Sequence, residues 1–224
     1  MVAVIRRVAG LLALALAAGC SGNSAAPADP ALVSVPAESG QALVVRPAGG
    51  SPIRVTVAAW ERRDGGWTAA LPGRPGVVGR TGFAEPGAKR EGDGHTPSGV
   101  YPLGPAFGYD ESIETGLDYR RATADDFWVD DPESPQYNRW VHGKPEARSF
   151  ERLRRDDDLY RYAAVIGYNT DPVLPGRGSA IFLHVWSGPE SPTAGCVALA
   201  EADVLRLLRW LDRGRRPVVV LNPP

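Results

Sequence analysis

The stretch IRVTVAAWERRDGGWTAAL, from Ile53 to Leu71, constrains the fold of this chain more than any other. Its first arm is rich in β-branched residues and ends on tryptophan, a composition that suits a pleated, half-buried strand. Asp64, Gly65 and Gly66 then form a turn in which glycine reaches positive φ without steric cost. The segment reads as an antiparallel hairpin. The runs ALVVRPA, PGVVGRTGF and SGVYPLGPAF repeat the pattern of short strand and turn, and YAAVIGYN and SAIFLHVW have the apolar character of buried strands. With 26 glycines and 21 prolines, the chain is punctuated too often for a helical protein. One helix is expected near the C-terminus. Glu201 and Asp203 place carboxylates in its first turn, Val204, Leu208 and Leu211 recur at helical spacing with Leu205 beside them, and Gly214 ends it before Pro217 opens the strand PVVVL. The expected class is mainly β (α+β): a sandwich or barrel with a C-terminal helix packed on the sheet.

The N-terminus reads differently. Arg6 and Arg7 precede an apolar run from Val8 to Ala18, too short for a transmembrane helix, and small residues follow it. This is the pattern of an export signal over residues 1–19. Cys20, directly after Ala-Ala-Gly, resembles a bacterial lipobox, which implies a lipidated cysteine and a membrane anchor without a spanning helix. Residues 20–40 are dominated by small residues and proline and read as a flexible tether, with a reach of about 25 Å. The remaining residues, 41–224, are enough for one domain with its own core. The net charge of −1 argues against general nucleic-acid binding.

Export sharpens the cysteine question. Only Cys20 and Cys196 exist, and a lipidated Cys20 leaves Cys196 unpaired where cysteines normally form disulfides. The alternative is a Cys20–Cys196 disulfide tying the tail to the domain. A thiol is nucleophilic as thiolate, and a neighbouring imidazole is the usual way to obtain one near pH 7, with imidazolium stabilising the thiolate. His184 ends the strand-like IFLHV, and Cys196 follows a short turn, so a strand end and its returning loop can bring the two together. Gly195 lets the backbone approach a substrate, and peptide N–H groups there can face an oxyanion. His95 lies in a turn-type sequence and reads as a solvated loop residue, and His142 as structural. No histidine or cysteine spacing matches a metal site, and no cofactor motif is present. Between Asp110 and Glu133, nine carboxylates face only Arg120 and Arg121. That segment and the aromatic-rich stretch after it, to residue 143, read as a long ordered loop, serving either as a solvated acidic face or in substrate binding.

These residues match a known pattern. HVWSGPESPTAGCVAL resembles the active-site motif of the L,D-transpeptidase (YkuD-type) catalytic domain. REGDGHTPSGVYPL is similar to that family's Gly-Asp-Gly-x-Thr-Pro-x-Gly segment, and GVVGRTGF to its preceding glycine-rich strand. The resemblance spans roughly residues 41–222. It implies Cys196 as nucleophile, His184 as general base, Thr193 as the motif hydroxyl, and Gly195 with the Cys196 backbone as oxyanion site. It also implies a backbone carbonyl near Val185 orienting the imidazole. The implied substrates are peptidoglycan stem peptides: the thiolate attacks the third residue, expels the terminal D-alanine, and a second stem accepts the acyl group as a 3→3 cross-link. Carbapenem-type β-lactams are the implied inhibitors, and the outer face of the cell membrane or the wall is the implied location. Two positions depart from the commoner pattern, Ala194 for histidine and Ala198 for arginine. Tyr137, Asn138 and Trp140 are candidates for the substrate contacts that the missing arginine would otherwise make. Transfer to water instead, giving an L,D-carboxypeptidase or endopeptidase, and a non-catalytic wall-binding lipoprotein are the competing readings.

Overall fold

The computed structural model describes Met1 and residues 29–222. The expected hairpin is present. Strand β1 (Gln41–Pro47) is followed by β2 (Arg54–Arg63) and β3 (Gly66–Val77), and Arg63 pairs with Gly66 across a two-residue turn. Asp64 and Gly65 hold φ values of 48° and 80° there, the mirror-image turn that matches the twist of paired strands. Then come β4 (Gly99–Gly108), β5 (Tyr119–Arg121), β6 (Asp126–Val129), β7 (Arg139–His142), β8 (Phe150–Arg152), β9 (Tyr162–Ile166), β10 (Phe182–Val185) and β11 (Val197–Leu199). Helix α1 (Glu201–Trp210) and β12 (Val218–Leu221) complete the chain.

Nine strands form one sheet in the order β12-β1-β2-β3-β11-β10-β9-β4-β5, and β12 also pairs with β4. That pairing, Val218 opposite Pro102 through Leu221 opposite Gly99, curls the sheet back on itself into a barrel and leaves β5 as a flap on β4. Inside lies the main core, where Leu43, Val45, Leu183 and Leu199 meet Val204, Leu208 and Leu211. The fold is thus mainly β with a C-terminal helix on the sheet, as its composition and periodicity predict.

Three expectations change. The helix ends at Trp210 rather than at Gly214, because Leu211 turns extended to bury its side chain completely. The Gln41 amide donates to the Trp210 carbonyl, and its oxygen accepts from Asp212 N–H, so one side chain serves the helix end. Gly214 lies instead in a 3-10 turn, Arg213–Arg215. Second, the tether does not extend to Gly40 as free chain. Pro30–Ser34 form a 3-10 turn capped by Asp29, and Ala31, Leu32 and Val35 cover Ala42, Val44, Val218 and Val220 on the outer face of β1 and β12. Apolar residues on both faces of β1 require that cover. Residues 1–19, Cys20 and the tether up to residue 28 lie, Met1 apart, outside the described residues. Third, the long loop after Asp110 contains β5, β6 and β7, and β6 and β7 join β8 beyond it in a second sheet, β7-β6-β8, with Phe127 and Trp128 buried on opposite faces of β6.

Candidate active site

Strand β10 lies between β9 and β11, and its period of two divides its residues between opposite faces. Leu183 and Val185 enter the main core beneath α1. Phe182 and His184 face the other way. The parallel register sets Leu183 opposite Val197 and His184 opposite Ala198, which places Cys196 on the face of Phe182 and His184. Phe182 and Cys196 join Phe107, Tyr160 and Trp128 of β6 in a second cluster, under the small sheet. A cavity of about 380 Å³ opens there, lined among others by Cys196, His184, Tyr160, Glu151, Thr193 and Gly195.

Both reactive side chains are nearly enclosed, Cys196 at 6% and His184 at 5% exposure. The His184 Nδ1 is 2.7 Å from the Val185 carbonyl, which fixes Nδ1 as the N–H donor and leaves Nε2 free as a base. A carbonyl was expected near Val185, and this is where it lies. The Tyr160 ring meets the imidazole edge to face, with centroids 5.1 Å apart. Burial pushes the imidazole pKa down to about 4, against the pull of the Val185 carbonyl, so His184 is neutral at physiological pH.

The thiol departs from expectation. Its Sγ accepts from the Phe182 N–H and donates to the Ala180 carbonyl, each at 3.3 Å, rather than bonding to His184. Burial pushes the thiol pKa up, and the carboxylate of Glu151 adds to the rise, while Phe182 N–H, Lys89 and Arg155 oppose it. The cavity therefore holds a neutral thiol beside a neutral imidazole, not the thiolate–imidazolium pair that their spacing suggests. Desolvation disfavours either charge, and no hydrogen bond couples the two.

The turn carrying Cys196 is braced from below. Thr193 N–H donates to the Val78 carbonyl at 3.0 Å, and the Thr193 hydroxyl donates to the Cys196 carbonyl at 2.7 Å. The same hydroxyl accepts the Gly195 N–H at 3.1 Å, so that donor is already engaged within the turn. Thr96, completely buried, accepts from Gly79 N–H at 2.9 Å and donates to the Gly195 carbonyl at 2.8 Å. A Cβ at Gly195 would stand 2.9 Å from the His95 carbonyl, and one at Gly79 only 2.1 Å from the Gly94 carbonyl. The GDGHTPSG segment thus packs backbone to backbone under the turn that carries Cys196. Its threonine belongs to the site's frame, a role that turn composition alone does not disclose.

The other candidates lie elsewhere. Tyr137 is buried, donates to Glu91 Oε2 and accepts from Gly178 N–H. Asn138 is buried and takes up the Trp128 indole, Ala180 N–H and the carbonyls of Tyr168 and Asn169. Trp140 donates to Asp126 and meets Phe107 edge to face. All three tie the small sheet to the barrel and none lines the cavity. His142 sits exposed on β7 against Asp126, away from the thiol. His95 is half-buried rather than solvated, with a buried Nδ1 that has no hydrogen-bond partner among the described residues. Ala198 is completely buried between His184 and Val77 in register, so a methyl group stands where the commoner pattern has arginine. The cavity's cations come from Arg80, Lys89 and Arg155. Among the described residues no group of three or more His, Cys, Asp or Glu could hold a metal, and no helix is long and apolar enough to cross a membrane.

Strand β10 and the turn before β11 thus set a buried thiol and a carbonyl-oriented imidazole in one cavity. The sequence matches the YkuD family, the L,D-transpeptidase catalytic domain, over residues 59–220, and the chain belongs to that family. Comparison with curated proteins gives no match. Among solved structures, the chain is similar to the helical cell shape determining protein Pgp2 from Campylobacter jejuni. The identity is 17% and the TM-score 0.42, and the match covers 81% of this chain but 47% of that one, so this chain spans about half its length.

Proposed function

We propose that this protein is a peptidoglycan L,D-transpeptidase, with Cys196 as nucleophile and His184 as general base. The observation that carries the reading is the shared cavity, where a neutral His184 has Nδ1–H fixed by Val185 and Nε2 free to take the thiol proton. Because both groups are neutral at rest, proton transfer accompanies attack rather than preceding it. Sγ bonds to the carbonyl carbon of the stem's third residue, and His184 takes the proton. The tetrahedral oxyanion is assigned to the Cys196 N–H, since Gly195 N–H is engaged by Thr193. Collapse breaks the C–N bond, His184 returns the proton to the departing D-alanine amine, and a thioester remains. The amine of a second stem then attacks that thioester, gives its proton to His184 and releases Cys196. No cofactor enters.

Incubation with disaccharide tetrapeptides, read by product mass, tests the assignment. A dimer lacking one D-alanine is expected. Tripeptide alone means that water is the acceptor, and unchanged substrate means a binding protein. The export signal and the lipid on Cys20 complete the proposal, placing the domain at the outer face of the cell membrane. Cys20→Ser is expected to move the protein from the membrane fraction to the soluble exported fraction, and continued sedimentation with membranes excludes the anchor.

A further inference from the structure

The cavity contains a titratable group for which the acyl-transfer scheme has no use. Glu151, on β8 of the small sheet, lines the same space as Cys196. Its carboxylate accepts the Tyr160 hydroxyl, and the Tyr160 ring is the one that packs edge-on against His184. Tyr160 is itself held between Phe107 and Phe182, with the Arg155 guanidinium 5.2 Å above its ring. The Glu151 carboxylate is therefore fixed relative to both reacting side chains.

We propose that Glu151, held by Tyr160, is the specificity-determining residue of this site, selecting substrates that carry a positively charged amine beside the carbonyl under attack. The inference rests on the acyl-transfer reading above. A carboxylate in a desolvated cavity with a thiol opposes the charge that the sulfur must develop, and the opposition strengthens as water leaves. An ammonium placed against Glu151 removes it. The stem's diamino acid, whose side-chain amine stays free in the donor strand, has the required chemistry. Its ammonium would thus be both a binding contact and the signal that permits the thiol to ionise during attack.

The surrounding charges agree with this division. Glu91 and Asp130, also in the cavity wall, add negative field at Glu151, and burial with that field holds its carboxyl above the ordinary range. Arg155 is the opposing cation at Glu151, and it is already paired with Asp157. Lys89, the cation acting on the thiol besides Arg155, is paired with Asp93 and bonded to the Arg90 carbonyl. Asp157 and Arg155 are also the charged groups that act on His184. Lys89 and Arg155 are thus already occupied by carboxylates, and Arg80, the third cation of the wall, bonds to the Gly92 carbonyl, so Glu151 keeps an oxygen face for an incoming amine.

Glu151→Gln separates charge from position, because the amide oxygen still accepts the Tyr160 hydroxyl. The first measurement is iodoacetamide labelling of Cys196 against pH, which needs no turnover. The curve is expected to move down by about one pH unit in Glu151→Gln, since one facing charge is gone. The second is calorimetric binding to Cys196→Ala of two tetrapeptides, one with lysine as its third residue and one with Nε-acetyllysine. A preference of at least about tenfold for the free amine is expected, lost when Glu151→Gln is added. Tyr160→Phe keeps the ring against His184 and releases the carboxylate, so it should lower the preference as well. A labelling curve that superposes on the wild type's, or equal binding of the two peptides, overturns the proposal. If neither peptide binds, the substrate reading fails on its own, and the labelling curve still decides whether Glu151 acts on the thiol.

Discussion

The two faces of β10 carry opposite chemistry. Toward α1, Leu183 and Val185 join the apolar main core, and their contribution is burial. Toward the small sheet, Phe182 is followed by His184, and the cavity beside them contains carboxylates, cations and a thiol. A strand fixed by its apolar face can hold polar groups on the other in positions that packing alone would not choose. The thiol and the imidazole are thus neutral groups in a wall that also carries charged side chains, held between the main core on one side and the Phe107–Phe182 cluster on the other.

The sharpest test of that separation is Cys196→Ala. Loss of mass-detected labelling by a carbapenem-type β-lactam should be complete, as should loss of turnover, with the unfolding midpoint nearly unchanged because little volume is removed. Labelling that persists in this variant assigns the nucleophile elsewhere. The converse comes from Leu208→Ala on the helix side, a fully buried residue whose truncation leaves a cavity. It should lower stability in urea by about 2–5 kcal/mol while folded molecules label at the wild-type rate. A large change in labelling rate would mean that the two faces are coupled.

Between those extremes lies a pH effect, and its sign follows from His184. The pKa in the folded state is about 4, below the ordinary 6.5, so the unfolded chain binds the proton first. Stability should be full above pH 6.5, decline from there to about pH 4, and then level off as the folded form also protonates. The contribution lost is about 3 kcal/mol. His184→Gln should flatten that part of the profile measured by urea unfolding, and an unchanged slope would place the pH dependence on other groups.

Local pattern was legible in the sequence wherever one residue type has one use. Asp64-Gly65-Gly66 allows little but a hairpin, and the Val204–Leu208–Leu211 spacing little but a helix. Cys196 and His184 stood out because a lone thiol is unusual in a chain whose start reads as an export signal, and because the motif around them is specific. What stayed hidden depends on partners distant in sequence. The helix end depends on Gln41 of β1, and the role of Thr96 on a turn a hundred residues away. The strands of the small sheet are three or four residues long, with a period too brief to recognise. Tyr137, Asn138 and Trp140 looked like binding residues because they are polar-edged aromatics and amides in an acidic segment. Their polar ends are instead used internally. The ionisation of the pair was misread for the same reason, since burial is a tertiary property and outweighs adjacency.

Thr96 gives the smallest effect and the most direct view of how the frame meets the chemistry. Thr96→Val keeps the shape of the side chain and removes the hydroxyl that joins Gly79 N–H to the Gly195 carbonyl. Both groups are buried, so each loses its partner without gaining water, and the expected destabilisation is about 1–3 kcal/mol. If the hydroxyl only fills space, labelling of Cys196 should follow the folded fraction and nothing more. If it fixes the turn, acylation should slow beyond that fraction, because the Cys196 N–H and Sγ are set by the orientation of the Gly195 peptide. The β-lactam acylation rate of Thr96→Val, measured well below its unfolding midpoint, separates the two. A rate equal to the wild type's confines Thr96 to stability, whereas a slower rate with normal unfolding in the Thr96→Ser control assigns the hydroxyl to the geometry of the nucleophile.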